Sequence, residues 1–189
     1  MNRFKTALQL FTICLSLLTF TCEALAKDPP FELPEAGGLR KLRSALISTS
    51  RGDLYFELYP EDAPWHVANF KYLADKGFYT GLRFHFFYEG YILQAGAPTN
   101  DPDSGPGYSL PAEFSSRSHR LGSLGMARVK DAGNPGRQSH GSQFHLLLKD
   151  APHMDGRYTV FGQLVKGEEV LRQLKQWDRI REIKVFVRQ

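Results

Sequence analysis

Residues 77–98 read GFYTGLRFHFFYEGYILQAGAP, and this stretch leaves the backbone few options. Two short apolar runs are joined by Glu89-Gly90, a pair suited to a bend, so the segment reads as two antiparallel strands. Alternation at period 2 puts Phe84 and Phe86 on one face of the first run, with Arg83 and His85 on the other. In the second run Tyr91, Leu93 and Ala95 alternate with Ile92, Gln94 and Gly96. Gln94 carries a carboxamide that both donates and accepts, among neighbours too apolar for a solvated face. Taken alone, a strand pair with one odd glutamine reads as core more readily than as a site.

The opening of the chain reads as a leader. Arg3 and Lys5 supply a positive start, Leu8 to Phe20 is a short apolar run, and Ala24-Leu25-Ala26 matches a small-x-small cleavage site. The run falls short of the roughly 20 residues that span a bilayer, so a cleaved export signal is preferred to an anchor. Thr21 before Cys22 disfavours a lipoprotein. Cleavage after Ala26 removes both cysteines, Cys14 and Cys22, and leaves no disulfide or thiol chemistry. The expected product is periplasmic or secreted. Its remaining length suits one domain with a proper core, and the formal net charge of +4 over the whole chain is too mild and dispersed to argue for nucleic acid.

Residues 27–43 carry Pro29, Pro30, Pro34, Gly37 and Gly38 and read as an extended, weakly ordered arm. The domain proper is expected over 44–189. Ser44 to Ser50 and Asp53 to Tyr59 form a hairpin around Arg51-Gly52, with Leu54, Phe56 and Leu58 on one face. Pro64 starts a helix that Gly77 ends, with Val67, Phe70, Leu73 and Ala74 at helical spacing. Leu121 to Val129, Gln143 to Leu148, Tyr158 to Val165 and Ile183 to Val187 read as strands, and Glu168 to Trp177 as a second helix. Asn100 to Gly107 and Lys130 to Ser139 are polar loops. Many strands, two distant helices and no βαβ rhythm predict a closed antiparallel barrel plugged by helices.

Several segments together resemble the cyclophilin-type peptidyl-prolyl isomerases. Ala63-Pro64 through Asn69-Phe70, GFYTGLRFH, GYILQAGAP, GPGYSLPAEF, GMA, GSQFHL and HMDGRYTVFGQLVKGEEVL occur in that family's order, between about Ser44 and Val187. Each is weak alone; in order they are specific. The resemblance implies a mainly β, closed eight-stranded antiparallel barrel capped by two α-helices, using no cofactor. It implies rotation about the peptide bond before proline, with proline-containing peptides and unfolded exported proteins as partners, and a monomer without metal or nucleic acid. The site residues it implies are Gln94 and Gln143 as active-site amides. Tyr91, Ile92, His145 and Met154 fall in the proline pocket, Ala127 and Arg128 along the substrate backbone, and Tyr158 where the family often has histidine.

The sequence departs from the family at Phe86. The family reads phenylalanine-histidine-arginine, and its arginine is the principal catalytic donor; here the text is Phe84-His85-Phe86. Phenylalanine has no donor, so weak activity is expected, with Arg128 as the candidate replacement. The alternative is a catalytically inactive proline-peptide-binding module serving as chaperone or scaffold. Tyr91 and His145 make the pocket more polar than the family's, and His153 replaces a common indole, which argues against cyclosporin sensitivity. His140, His145 and His153 match no common metal-ligand spacing, and His66 and His119 read as surface residues.

Overall fold

The computed structural model describes residues 28–189, so the predicted leader lies outside the described residues. A single helical turn, α1 (Ala36–Leu39), precedes β1 (Ser44–Thr49), β2 (Gly52–Leu58) and α2 (Pro64–Asp75). Then come β3 (Phe86–Tyr88), β4 (Ile92–Ala95), β5 (Ser109–Leu110), β6 (Ser123–Met126), β7 (Ser139–His140) and β8 (Phe144–Leu147). The chain closes with β9 (Val160–Lys166), α3 (Glu168–Gln173) and β10 (Ile180–Phe186).

The first hairpin follows from its alternation. Ala45, Ile47 and Thr49 on β1 and Leu54, Phe56 and Leu58 on β2 are buried, and the strands pair from Ser44↔Glu57 to Thr49↔Gly52. Gly52 ends the turn at φ +137°, and a Cβ there would lie 2.9 Å from Val170 on α3. Both its conformation and its contact therefore exclude a side chain.

Eight strands form one antiparallel sheet in the order β10-β1-β2-β9-β6-β8-β4-β3, and β5 pairs with β7 separately. The sheet curls around its core but does not close by a strand ladder: β3 and β10 are its edges. The segment before β3 meets the chain around the start of β10 through one bridge, Arg83–Arg179, and four backbone hydrogen bonds: Gly81 N to Ile180 O, Ile180 N to Leu82 O, Phe84 N to Asp178 O and Trp177 N to Phe84 O. The expectation of a closed barrel is corrected to this open, curled sheet. Strand geometry breaks at Phe84 and His85, so this contact does not extend into a ladder between β3 and β10.

Helix α2 packs against β10, and α3 against β2. Phe70 on α2 meets Phe144 edge-on at 5.6 Å and Phe161 at 5.3 Å, the edge-to-face geometry that aromatic quadrupoles favour. Pro64 is the first residue of α2, as its fixed φ suits. The next two free N–H groups donate to one distant carboxylate: Trp65 N and His66 N reach Glu113 at 3.0 and 3.1 Å. His66 Nδ1 lies 2.6 Å from the same group, and the ring is fully buried.

Three further expectations change. The arm is docked: Phe31 stacks on Tyr72 at 5.1 Å and meets Trp65 at 5.8 Å, while Leu39 and Leu42 are buried. With Leu33, partly buried against the same core, its four apolar side chains outweigh its prolines and glycines. The second helix stops at Gln173, and Trp177 sits half-exposed at φ +73°. His66 and His119 are buried instead of surface residues, because Glu113 and Asp155 supply polar partners.

Candidate active site

One open groove gathers the site residues that the resemblance implies, together with Phe86. Phe86 comes from β3, and Ile92 and Gln94 from β4, with Tyr91 just before it. Ala127 and Arg128 follow β6, while Gln143 and His145 belong to the β8 segment. Met154 ends a 3-10 turn (Pro152–Met154), and Tyr158 precedes β9. The strand order explains the convergence: β4 pairs with β8, which pairs with β6, so Gln94, His145 and Gly125 stand side by side.

The proposed pairing of Phe84 with Phe86 does not hold. Phe84 is fully buried, His85 is 7% exposed and Phe86 is 47% exposed. The run is not a regular strand until Phe86, so period 2 fails across this break. In the second run Leu93 and Ala95 face the core while Ile92 and Gln94 face the groove, as alternation expects, but Tyr91, expected on the Leu93 face, precedes β4 and lines the groove beside Ile92. Phe86 stands directly across from Gln94 in the strand register.

Two chemical zones adjoin. One is an apolar cluster, separate from the main core, of Leu147, Ala151 and Met154 with Tyr91, Ile92 and Tyr158 against it. Tyr91 Oη is held by His153 Nε2 at 2.9 Å, and Lys149 lies over its ring at 5.3 Å. The other zone is a pair of amides. Gln143 Nε2 donates to Pro102 O at 2.7 Å and Ser104 O at 2.9 Å, which uses both its hydrogens. Its Oε1 therefore accepts from Gln94 Nε2, at 2.7 Å. Gln94 is left with its Oε1 and one N–H.

Arg128 is braced. Its side chain is 4% exposed; Nε donates to Arg157 O at 2.7 Å, and Nη1 to Val129 O at 3.0 Å and Asp131 at 2.6 Å. The guanidinium also lies 4.7 Å over the Tyr158 ring. Only Nη2 lacks such a partner among the described residues. Asp131 is itself held below the usual carboxylate range, chiefly by its bond to Arg128.

Burial favours the neutral form of three histidines in and beside the groove, His145, His140 and His119. Burial, reinforced by His119, pushes His145 down to about 3, and its Nε2 has no partner. Burial, with His85 nearby, lowers His140 to about 4 against the opposing pull of Asp103. His119 is lowered by burial although Asp155 accepts from its ring and backbone at 2.9 and 2.6 Å. Gly125 makes room for His145: a Cβ there would lie 2.3 Å from its Nε2. Among the described residues, no three histidine, cysteine, aspartate or glutamate side chains group as metal ligands.

Sequence reasoning missed His140, Gly125 and the Pro102–Ser104 carbonyls. Each matters through contacts between distant segments, and no local pattern marks them.

Comparison with known proteins agrees with this geometry. Residues 45–187 match the family described as cyclophilin type peptidyl-prolyl cis-trans isomerase/CLD. A peptidyl-prolyl cis-trans isomerase of Helicobacter pylori is 40% identical over 149 residues, covering 77% of this chain and 88% of that protein. Peptidyl-prolyl cis-trans isomerase B of Bacillus subtilis is 39% identical over 132 residues, covering 69% and 88%. A cyclophilin-type isomerase of Cryptosporidium parvum, solved in the presence of the dipeptide Ala-Pro, superposes with a TM-score of 0.69 at 30% identity. It covers 75% of this chain and 98% of that one. By its fold, by its matched residues and by the amide-and-pocket groove on its curled sheet, this chain belongs to the cyclophilin-type peptidyl-prolyl cis-trans isomerases.

Proposed function

We propose that this protein isomerises the peptide bond before proline in exported proteins, at the Gln94 groove and with reduced efficiency. The observation that carries the reading is the junction of an apolar pocket with an oriented amide: Ile92, Met154 and Tyr158 lie beside Gln94. Amide resonance sets a barrier of about 18–20 kcal/mol. An enzyme lowers it by binding the twisted amide better than either planar isomer. A pocket that immobilises the proline ring, and a donor aimed at the twisting amide, do this without any cofactor.

In this reading Ile92, Met154, Tyr91, His145 and Tyr158 hold the proline ring, and Ala127 lies along the peptide backbone. Gln94 offers the remaining N–H, and Gln143 keeps it oriented. Arg128 braces the groove wall, with Nη2 as its one nitrogen free for substrate. Phe86 contributes contact surface but no donor. Losing one preorganised donor costs about 2.7–4 kcal/mol of transition-state stabilisation, or roughly 100- to 1000-fold in rate. That the Cryptosporidium relative was solved in the presence of the dipeptide Ala-Pro supports a proline peptide as the occupant.

Phe86 also favours a second reading, a proline-peptide binder without catalysis. The discriminating experiment follows cis–trans exchange of an Ala-Pro-Phe peptide by two-dimensional NMR, with Gln94→Ala as control. Acceleration that Gln94→Ala abolishes supports the enzyme; binding without acceleration supports the binder. The leader sequence supports export, and the protein is proposed to act as a monomer. Release by osmotic shock of a product beginning at Lys27 would support the first point, and retention of Met1 in the cytosol would refute it.

A further inference from the structure

The polarity of the Gln143–Gln94 pair decides what the groove presents, and it is fixed from behind. His140 lies at the end of β7, where its backbone N–H donates to Ala127 O at 2.8 Å. Its Nδ1 lies 3.1 Å from two backbone nitrogens, those of Ser142 and Gln143. Both are obligate donors, so Nδ1 is an acceptor and the ring proton sits on Nε2. The 3.3 Å approach of His140 Nε2 to Gln143 Nε2 is then a contact between two donors, not a bond. The ring is clamped by Gly105, where a Cβ would lie 2.3 Å from its Cε1. Ser142 is secured independently by donating to Gly96 O at 2.7 Å.

We propose that His140 is a positioning residue for the isomerase site: as a neutral ring accepting two main-chain N–H groups, it sets the start of β8 so that Gln143 and Gln94 hold one orientation. The inference rests on the reading of the Gln94 groove as the reacting site. Without the Nδ1 acceptor, two amide donors lose their partner, and the Gln143 backbone is free to turn. Its carboxamide then leaves the Pro102 and Ser104 carbonyls, and Gln94 loses the acceptor that orients it. Protonation of Nδ1 has the same effect, because it turns the acceptor into a donor. The titratable groups facing His140 are His85, from the segment before β3, and Asp103, from the loop before Gly105. Burial keeps the ring neutral down to about pH 4.

The test compares the protein with its His140→Asn and His140→Leu variants. Asn retains a short side-chain acceptor without a titrating ring; Leu removes the acceptor. Two readouts are taken from pH 7 to pH 4: the side-chain amide resonances of Gln94 and Gln143, and the exchange rate of the Ala-Pro-Phe peptide. The wild type should hold both amide signals at neutral pH and lose half its exchange rate near pH 4, counted per folded molecule with the folded fraction read by far-ultraviolet circular dichroism. His140→Asn should keep the neutral-pH signals and remove the acid limb. His140→Leu should shift or broaden both amide pairs and slow exchange at least fivefold. Wild-type amide signals in the Leu variant, or an acid limb surviving in the Asn variant, would overturn the proposal. If the Leu variant does not fold, the Asn variant alone decides by its pH profile and its amide shifts. If the wild type shows no exchange activity, the isomerase reading fails, while the amide resonances still decide the role of His140.

Discussion

Lowering the pH from 7.5 to 5.0 should destabilise this protein through its buried histidines. His145 and His140 have native values of about 3 and about 4, against an ordinary 6.5. A depressed native value means that the unfolded chain takes up a proton first. Stability is therefore full above 6.5, falls as pH drops below it, and levels off under the native value. Between pH 6.5 and 5.0 each histidine removes about 2 kcal/mol at 1.36 kcal/mol per pH unit, so the pair removes about 4 kcal/mol. That is a large part of the roughly 5–15 kcal/mol available to a domain. His85 and His119 are also lowered by burial and act in the same direction. Asp131 and Asp155 are held below their ordinary 3.8, so they stay ionised in both states at pH 5 and lose their contribution only at lower pH. Urea unfolding followed by Trp65 and Trp177 fluorescence should show the midpoint falling by about 2 M, for a slope near 2 kcal/mol per M. His140→Asn should recover about half of that fall. A midpoint that moves by less than about 0.5 M would mean that protons reach these rings in the native state, and the reasoning would be refuted.

Other substitutions probe separate parts of the account. Gly125→Ala places a Cβ 2.3 Å from His145 Nε2, so the ring must move toward the groove; a stability loss of about 1–3 kcal/mol and weaker peptide binding should appear in urea unfolding and peptide titration. Arg128→Ala removes the bonds to Arg157, Val129 and Asp131 and should cost about 2 kcal/mol. It should slow exchange per folded molecule by less than about threefold, whereas a loss of about 100-fold would make Arg128 the missing donor. Leu42→Ala tests the docked arm: Leu42 is 4% exposed, and its truncation should cost about 2–5 kcal/mol by urea unfolding. An unchanged midpoint would detach residues 28–43 from the folding unit.

Much of the fold was legible because it is written in local periodicity. The Leu54, Phe56 and Leu58 face of β2 and the Pro64 start of α2 need only neighbouring residues to be read. The groove was legible for another reason: Gln94, Gln143, His145 and Met154 were placed by ordered motifs, and strand pairing then brought them together. What was not legible depends on long-range partners. Glu113 caps α2 from 47 and 48 residues away, and Asp155 makes a buried place for His119. The arm reads as linker by its prolines and glycines, but Phe31 finds an aromatic seat that only the folded α2 provides. The break at His85 is the clearest local failure. One irregular step there sends Phe84 inward and Phe86 outward, and no periodicity argument anticipates it.

The central claim is that an isomerase groove persists here with its strongest donor replaced by Phe86. The most direct test measures cis–trans exchange of an Ala-Pro-Phe peptide with the protein and with its Phe86→Arg variant. The account predicts weak acceleration by the wild type and a gain of roughly 100- to 1000-fold in the variant. No acceleration by either protein, in the presence of peptide binding, would contradict it.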